Sequence, residues 1–181
     1  MASAQALRAV AHPLRLQILS LLTGAEMSAA ELARELGTTH ANASYHLRLL
    51  AAARLVVPAG EERIRGGTAK RYRHPWAATG AQGADRPAAQ HGVDPAYQQL
   101  VDAVATELVR RSAYRRPGPS YLSDAELWVD PATWRRCTDL VSEASTLIHD
   151  AAQPPRTDGT VRVTMSAVLF MLGDGAREQP R

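Results

Sequence analysis

The residues best suited to chemistry lie along one helical stretch, Thr39 to Ala53. There His40, Asn42, Ser44, Tyr45 and Arg48 stand opposite an apolar stripe of Ala43, Leu47 and Leu50. At 3.6 residues per turn the apolar three share one face and the polar set lines the other. Asn can pair bidentately with adenine and Arg with guanine, so this face carries the donors and acceptors that read base edges in a major groove. Helices used in this way lead with their N-terminal residues, which assigns Thr39 to Tyr45 to bases and gives Arg48 mainly a phosphate role. His46, beside Leu47, is a packing or phosphate-side histidine before it is a base reader. A second set, Arg63, Arg65, Lys70, Arg71 and Arg73, lies in two arms flanking Gly66-Gly67, a hairpin signal. A polar helix face or a charge run is by default only solvated surface. Here the two are neighbours, which favours contact with a polyanion.

The surrounding charge agrees. Residues 1–80 carry a net +5 and the remainder −2, within a total of +3. A basic first half suits nucleic acid, with the acidic second half serving another purpose. Other chemistries lack their residues. Cys137 is the only cysteine, which rules out an internal disulfide or a clustered thiolate site, and its simplest role is that of a small buried hydrophobe. Asp102 and Glu107 have no histidine at helical spacing and read as solvated acids, and His149 has only distant acids as company, so no metal or other cofactor is expected. No Gly-rich phosphate loop or nucleophile elbow occurs, and an enzyme is not expected. No apolar run approaches the length of a membrane span, and Arg8, His12 and Arg15 interrupt any leader-like apolar core, which makes a cytoplasmic protein the default expectation.

Four helices are needed to position the first set. Ala4 to Ala11 forms a short one, and Pro13 opens a second in which Leu14, Ile18, Leu21 and Leu22 recur at helical spacing up to Gly24. Ser28 with Glu31 three residues on is a capping box that starts a third helix, closed by Gly37. Thr38 or Thr39 then caps the fourth. Leu55 to Pro58 reads as a short strand, and Ile64 and Tyr72 lie in the two arms of the hairpin.

These residues carry a family likeness. The run Val10 to Leu19 (VAHPLRLQIL) resembles the opening signature of ArsR/SmtB-type winged-helix regulators. Ser28 to Gly37 (SAAELARELG) and Ser44 to Leu50 (SYHLRLL) resemble the two blocks that follow it in that family, in its order and at its separations. The resemblance covers roughly Leu7 to Trp76. It implies a winged helix-turn-helix domain, binding of double-stranded DNA, transcriptional regulation, usually repression, and a homodimer reading an inverted repeat. The chain departs from the metal-sensing relatives: Glu31 to Glu35 holds no thiols, and the later helix has no His and carboxylate cluster.

The expected fold class is therefore α+β, mainly α. A winged helix-turn-helix domain over 1–76 leads through an Ala-, Gly- and Gln-rich linker, 77–93, to a C-terminal region, 94–181. In that region Asp94-Pro95 starts a helix with Tyr97, Leu100, Val101, Val104 and Leu108 on one side. Glu126 to Val129 is a short strand, and Asp130-Pro131 starts a helix with a stripe of Trp134, Cys137, Val141, Ala144 and Ile148. Val161, Val163, Met165, Ala167, Leu169 and Met171 alternate with polar residues as a second strand. This helix-strand-helix-strand unit loosely resembles the extended C-terminal parts of some actinobacterial ArsR-like regulators. It would assemble the dimer, bind a small organic effector, or do both. Tyr121, Trp128, Trp134 and Phe170 are core residues or, less simply, the walls of an effector pocket. The other reading makes the winged helix a protein-interaction module attached to a ligand-binding or catalytic C-terminal domain. Such a module would not need a polar outer face on the fourth helix or a basic hairpin.

Overall fold

The computed structural model describes residues 4–64, 67–76 and 94–172. Helix α1 (Ala4–Val10) is followed by α2 (Pro13–Gly24), the two-residue strand β1 (Met27–Ser28), α3 (Ala29–Leu36) and α4 (His40–Ala52). Strands β2 (Val57–Ile64) and β3 (Gly67–Arg73) form the hairpin, and α5 (Pro95–Ser112) and α6 (Pro131–Asp150) complete the described chain. The fold is the expected mainly helical α+β winged helix.

Helices α2, α3 and α4 each begin where the residues supply a cap. The His12 side chain accepts the Leu14 amide ahead of Pro13 in the first turn of α2. At α3 the box closes on both sides: the Ser28 amide donates to Glu31 Oε2 at 2.7 Å, and Ser28 Oγ accepts the Glu31 amide at 3.4 Å. Gly37 ends α3 with φ 62°, a left-handed turn that a side chain would strain. The Thr39 side chain then caps α4 by accepting the Asn42 amide at 3.2 Å. Between α2, α3, α4 and the hairpin lies one core: Ile18, Leu22, Leu32, Ala43, Leu47, Leu50 and Val56, all buried.

The sheet differs from the expectation in two ways. It has three strands in the order β1-β3-β2, because Met27 pairs with Tyr72 and Ser28 with Arg71. Two residues are too few to show a period of their own. The hairpin closes on Ile64 and Gly67, one residue earlier than a Gly66-Gly67 loop. Its tip, residues 65 and 66, and the expected linker, 77–93, fall outside the described residues.

The C-terminal region departs further. Helix α5 packs against α1 and α2 within the chain, through Ala96, Ala103 and Glu107, while Leu108 faces solvent. Glu107 is thus no solvated acid. Its carboxylate accepts from Gln17 on α2 at 2.7 Å and from Arg110, with Arg111 3.3 Å away. Helix α6 has no buried residue. Trp134, Val141 and Ile148 are half-buried, but Cys137 and Ala144 are exposed. The strands expected at Glu126 to Val129 and Val161 to Met171 do not form. Both segments carry strand-like sequence, but no neighbouring strand of the same chain lies beside them to complete a ladder. Tyr121, Trp128 and Phe170 are exposed, and so are neither core nor pocket walls.

Candidate nucleic-acid interface

Helix α4 is held from one side only. Ala43, Leu47 and Leu50 point into the core, and His46 joins them at 6% exposure. Its ring lies 4.6 Å from that of His12 at the start of α2. Burial, then the charges of His12 and Arg15, push the His46 imidazole below its ordinary pKa. A neutral ring with Nδ1 buried and unpaired among the described residues belongs to the packing, not to a groove surface.

The opposite face is open. Thr39, His40, Ala41, Asn42, Tyr45 and Arg48 are exposed, and Ser44 is half-buried on the flank. Six of the expected residues therefore do share one accessible surface. Asn42 is already oriented, since its side-chain amide donates to Thr38 Oγ1 at 2.9 Å. That bond leaves the second amide hydrogen and the carbonyl oxygen for a ligand. The helix N-terminus has no acid in its first turn, so its dipole presents a positive end beside these side chains. Sequence reasoning missed Ala41, whose exposure follows from the helical repeat: Ala41, Tyr45, Arg48 and Ala52 form one exposed ridge, with Leu49 exposed beside it.

The hairpin register sorts the basic residues. Arg63 opposes Thr68 and Glu61 opposes Lys70, so Arg63 and Lys70 share one face of the wing. Both are exposed. Arg65 lies outside the described residues. Arg71, one step on, belongs to the other face. Its guanidinium donates to Glu31 at 3.2 Å, to Glu62 at 2.7 Å and to the carbonyl of Glu26. Arg71 thus ties the wing to the start of α3. Burial pulls the Glu31 carboxyl upward, but hydrogen bonds from Ser28 and the charge of Arg71 outweigh it and hold the group below its usual range. Sequence held a faint signal for this contact: an acid fixed in a capping box is a ready partner for a later arginine.

Beyond the wing the chain is anchored twice. The His74 amide donates to the Leu22 carbonyl at 2.9 Å, and His74 Nδ1 meets the Leu55 carbonyl at 2.6 Å. Trp76 then stacks on His149 of α6. Among the described residues no group of three or more His, Cys, Asp or Glu is placed to hold a metal ion, and no helix is long and apolar enough to cross a membrane.

Residues 10–58 match the model of a helix-turn-helix domain, a span that starts at the end of α1 and runs through α4 into β2. Over that stretch the chain is similar to helix-turn-helix domains. No curated protein matches the chain.

Proposed function

We propose that the chain is a transcriptional regulator of the ArsR/SmtB type that binds double-stranded DNA as a homodimer, represses transcription and reads an inverted repeat. The observation that carries this reading is the open face of α4, with Asn42 pre-oriented by Thr38, beside a wing whose Arg63 and Lys70 share one side. In it Thr39, His40, Asn42, Ser44 and Tyr45 face base edges in the major groove. Arg48, Arg63, Arg65 and Lys70 lie along phosphates. Arg71 acts indirectly, by fixing the wing against α3. Two such heads would occupy successive grooves about 34 Å apart, which a two-fold dimer supplies. The region after Asp94 assembles the dimer and receives a signal, an organic effector in preference to a thiolate-bound metal.

Selection of bound fragments from a random duplex pool is the test. It should enrich an inverted repeat with half-sites one helical turn apart. Recovery of unrelated sequences at moderate salt would overturn specific recognition.

A further inference from the structure

The C-terminal third exposes far more apolar surface than a finished fold does. The chain presents 14036 Å² to solvent, whereas a compact monomer of 19.6 kDa presents about 8,600 Å². Granting the residues outside the described set the full surface of an unfolded chain still leaves an excess on the order of 1,500 Å² per copy. That is the area an obligate homodimer covers on each subunit.

The excess is concentrated in two extended segments. In the first, Tyr121, Leu122 and Trp128 are 91%, 93% and 88% exposed. The second, residues 161–172, exposes Val161, Val163, Phe170, Met171 and Leu172. This second segment is held in a defined course. Arg162 lies over the ring of Tyr114 at 5.9 Å, Thr164 accepts from Arg111 at 3.3 Å, and Phe170 meets Tyr97 edge-on at 6.0 Å. From 162 to 170 a fully extended chain covers about 26 Å, and from 97 to 114 a helix covers about the same. The segment is therefore a taut strap laid antiparallel along α5. Among the described residues none of its backbone amides pairs with another backbone group. An apolar segment whose backbone is unpaired in this way is the form that recruits a strand.

Its own chain does not supply one, because the strap is committed to α5 while residues 121–129 remain uncovered. The two segments suit one another. The strap has one charge, Arg162, and residues 121–129 carry Asp124 and Glu126 and no base. We propose that residues 161–172 of one copy pair as a β-strand with residues 121–129 of a second copy, and that the exchange is reciprocal about a two-fold axis. In such an isologous contact each copy gives a strand and receives one, so neither apolar segment is left over. The inference rests on the homodimer reading above and specifies how the dimer is made.

The test uses the full chain. Amide exchange and sedimentation are followed across protein concentrations, for the wild type and for V163P and L169P, which remove ladder donors from the strap. The expected result is a wild-type dimer in which 121–129 and 161–172 gain protection together as the dimer forms. Each proline should weaken dimerisation roughly a hundredfold and release protection of 121–129, a segment it does not touch. Should a proline variant unfold, wild-type exchange alone decides. A wild-type monomer at micromolar concentration would overturn both this inference and the homodimer. A wild-type dimer whose two segments exchange freely, or in which the strap alone is protected, would overturn the exchange and leave the homodimer standing.

Discussion

The indole of Trp76 lies flat against the imidazole of His149, ring centroids 3.6 Å apart and 11° from parallel. Trp76 follows the last wing strand and His149 lies in the last turn of α6, so the stack joins the winged helix to a helix that contributes nothing to the core. Aromatic pairs of this kind are worth about 0.5–1.5 kcal/mol beyond their buried area. A double-mutant cycle over Trp76→Ala and His149→Ala, read by urea unfolding, should return a coupling of that size. Additive losses would show that the rings touch without stabilising one another.

Gly24 marks a second junction between the same two regions. A Cβ built on it would lie 2.5 Å from the backbone oxygen of Gln153, just past α6. Ala at a helical position is ordinarily better than Gly by about 1 kcal/mol. Here Gly24→Ala should reverse that sign, because backbone must yield to admit a methyl group. Amides around residues 150–156 should exchange faster in the variant, and the bidentate Arg156–Glu35 pair, 3.0 Å, should loosen with them. A stabilised variant with unchanged exchange would show that the close approach is absent in solution.

Contact classes at the proposed interface separate by salt and by sequence. Asn42→Ala should relax discrimination at one base position by about 1–3 kcal/mol. Arg63→Ala and Lys70→Ala should weaken all duplexes alike and lower the slope of log affinity against log salt by about one each. Arg71→Ala should act differently again, lowering thermal stability through the loss of Glu31, Glu62 and Glu26 as partners. Titrations of matched and scrambled duplexes at several salt concentrations, with melting curves, distinguish the three. Identical losses from all of them would dissolve the division of roles.

The His12 and His46 imidazoles give stability a pH dependence. Burial, first, and the neighbouring Arg15 charge hold both below the ordinary value of 6.5. As pH falls through that value the unfolded chain takes up protons that the folded chain resists. Stability is therefore full above about pH 6.5 and declines as pH drops toward the folded values. His74, also lowered chiefly by burial, adds to the decline. His46→Leu should shrink the difference in urea midpoint between pH 7.5 and pH 5 without abolishing it. An unchanged difference would place the sensitive groups elsewhere.

Much of the N-terminal half was legible because its signals are local. A capping box at Ser28, a proline opening α2 and a glycine closing α3 each fix a helix end within a few residues, and the stripe of Ala43, Leu47 and Leu50 fixes which way α4 faces. The split among the wing's basic residues was not legible, since it depends on cross-strand register and on three acceptors scattered from Glu26 to Glu62. Glu107 misled for a related reason. An acid on a helix looks solvated until Gln17, ninety residues away, is brought beside it. The C-terminal alternation misled as well, since the strand it predicts over Val161 to Met171 does not form within the chain. A strand is completed by a neighbouring strand, and periodicity along one segment does not say whether one is there.

The short strand β1 has a consequence out of proportion to its two residues. By pairing with β3 next to the capped start of α3, and with Arg71 bolted across the same corner, it welds α3 and the wing into a single rigid tool. A tool of that kind offers a regulatory signal nothing to bend. In the proposed dimer what would remain adjustable is the gauge between two such tools, as with the wheels on an axle, and a signal received behind Asp94 would act by setting whether that gauge fits the track.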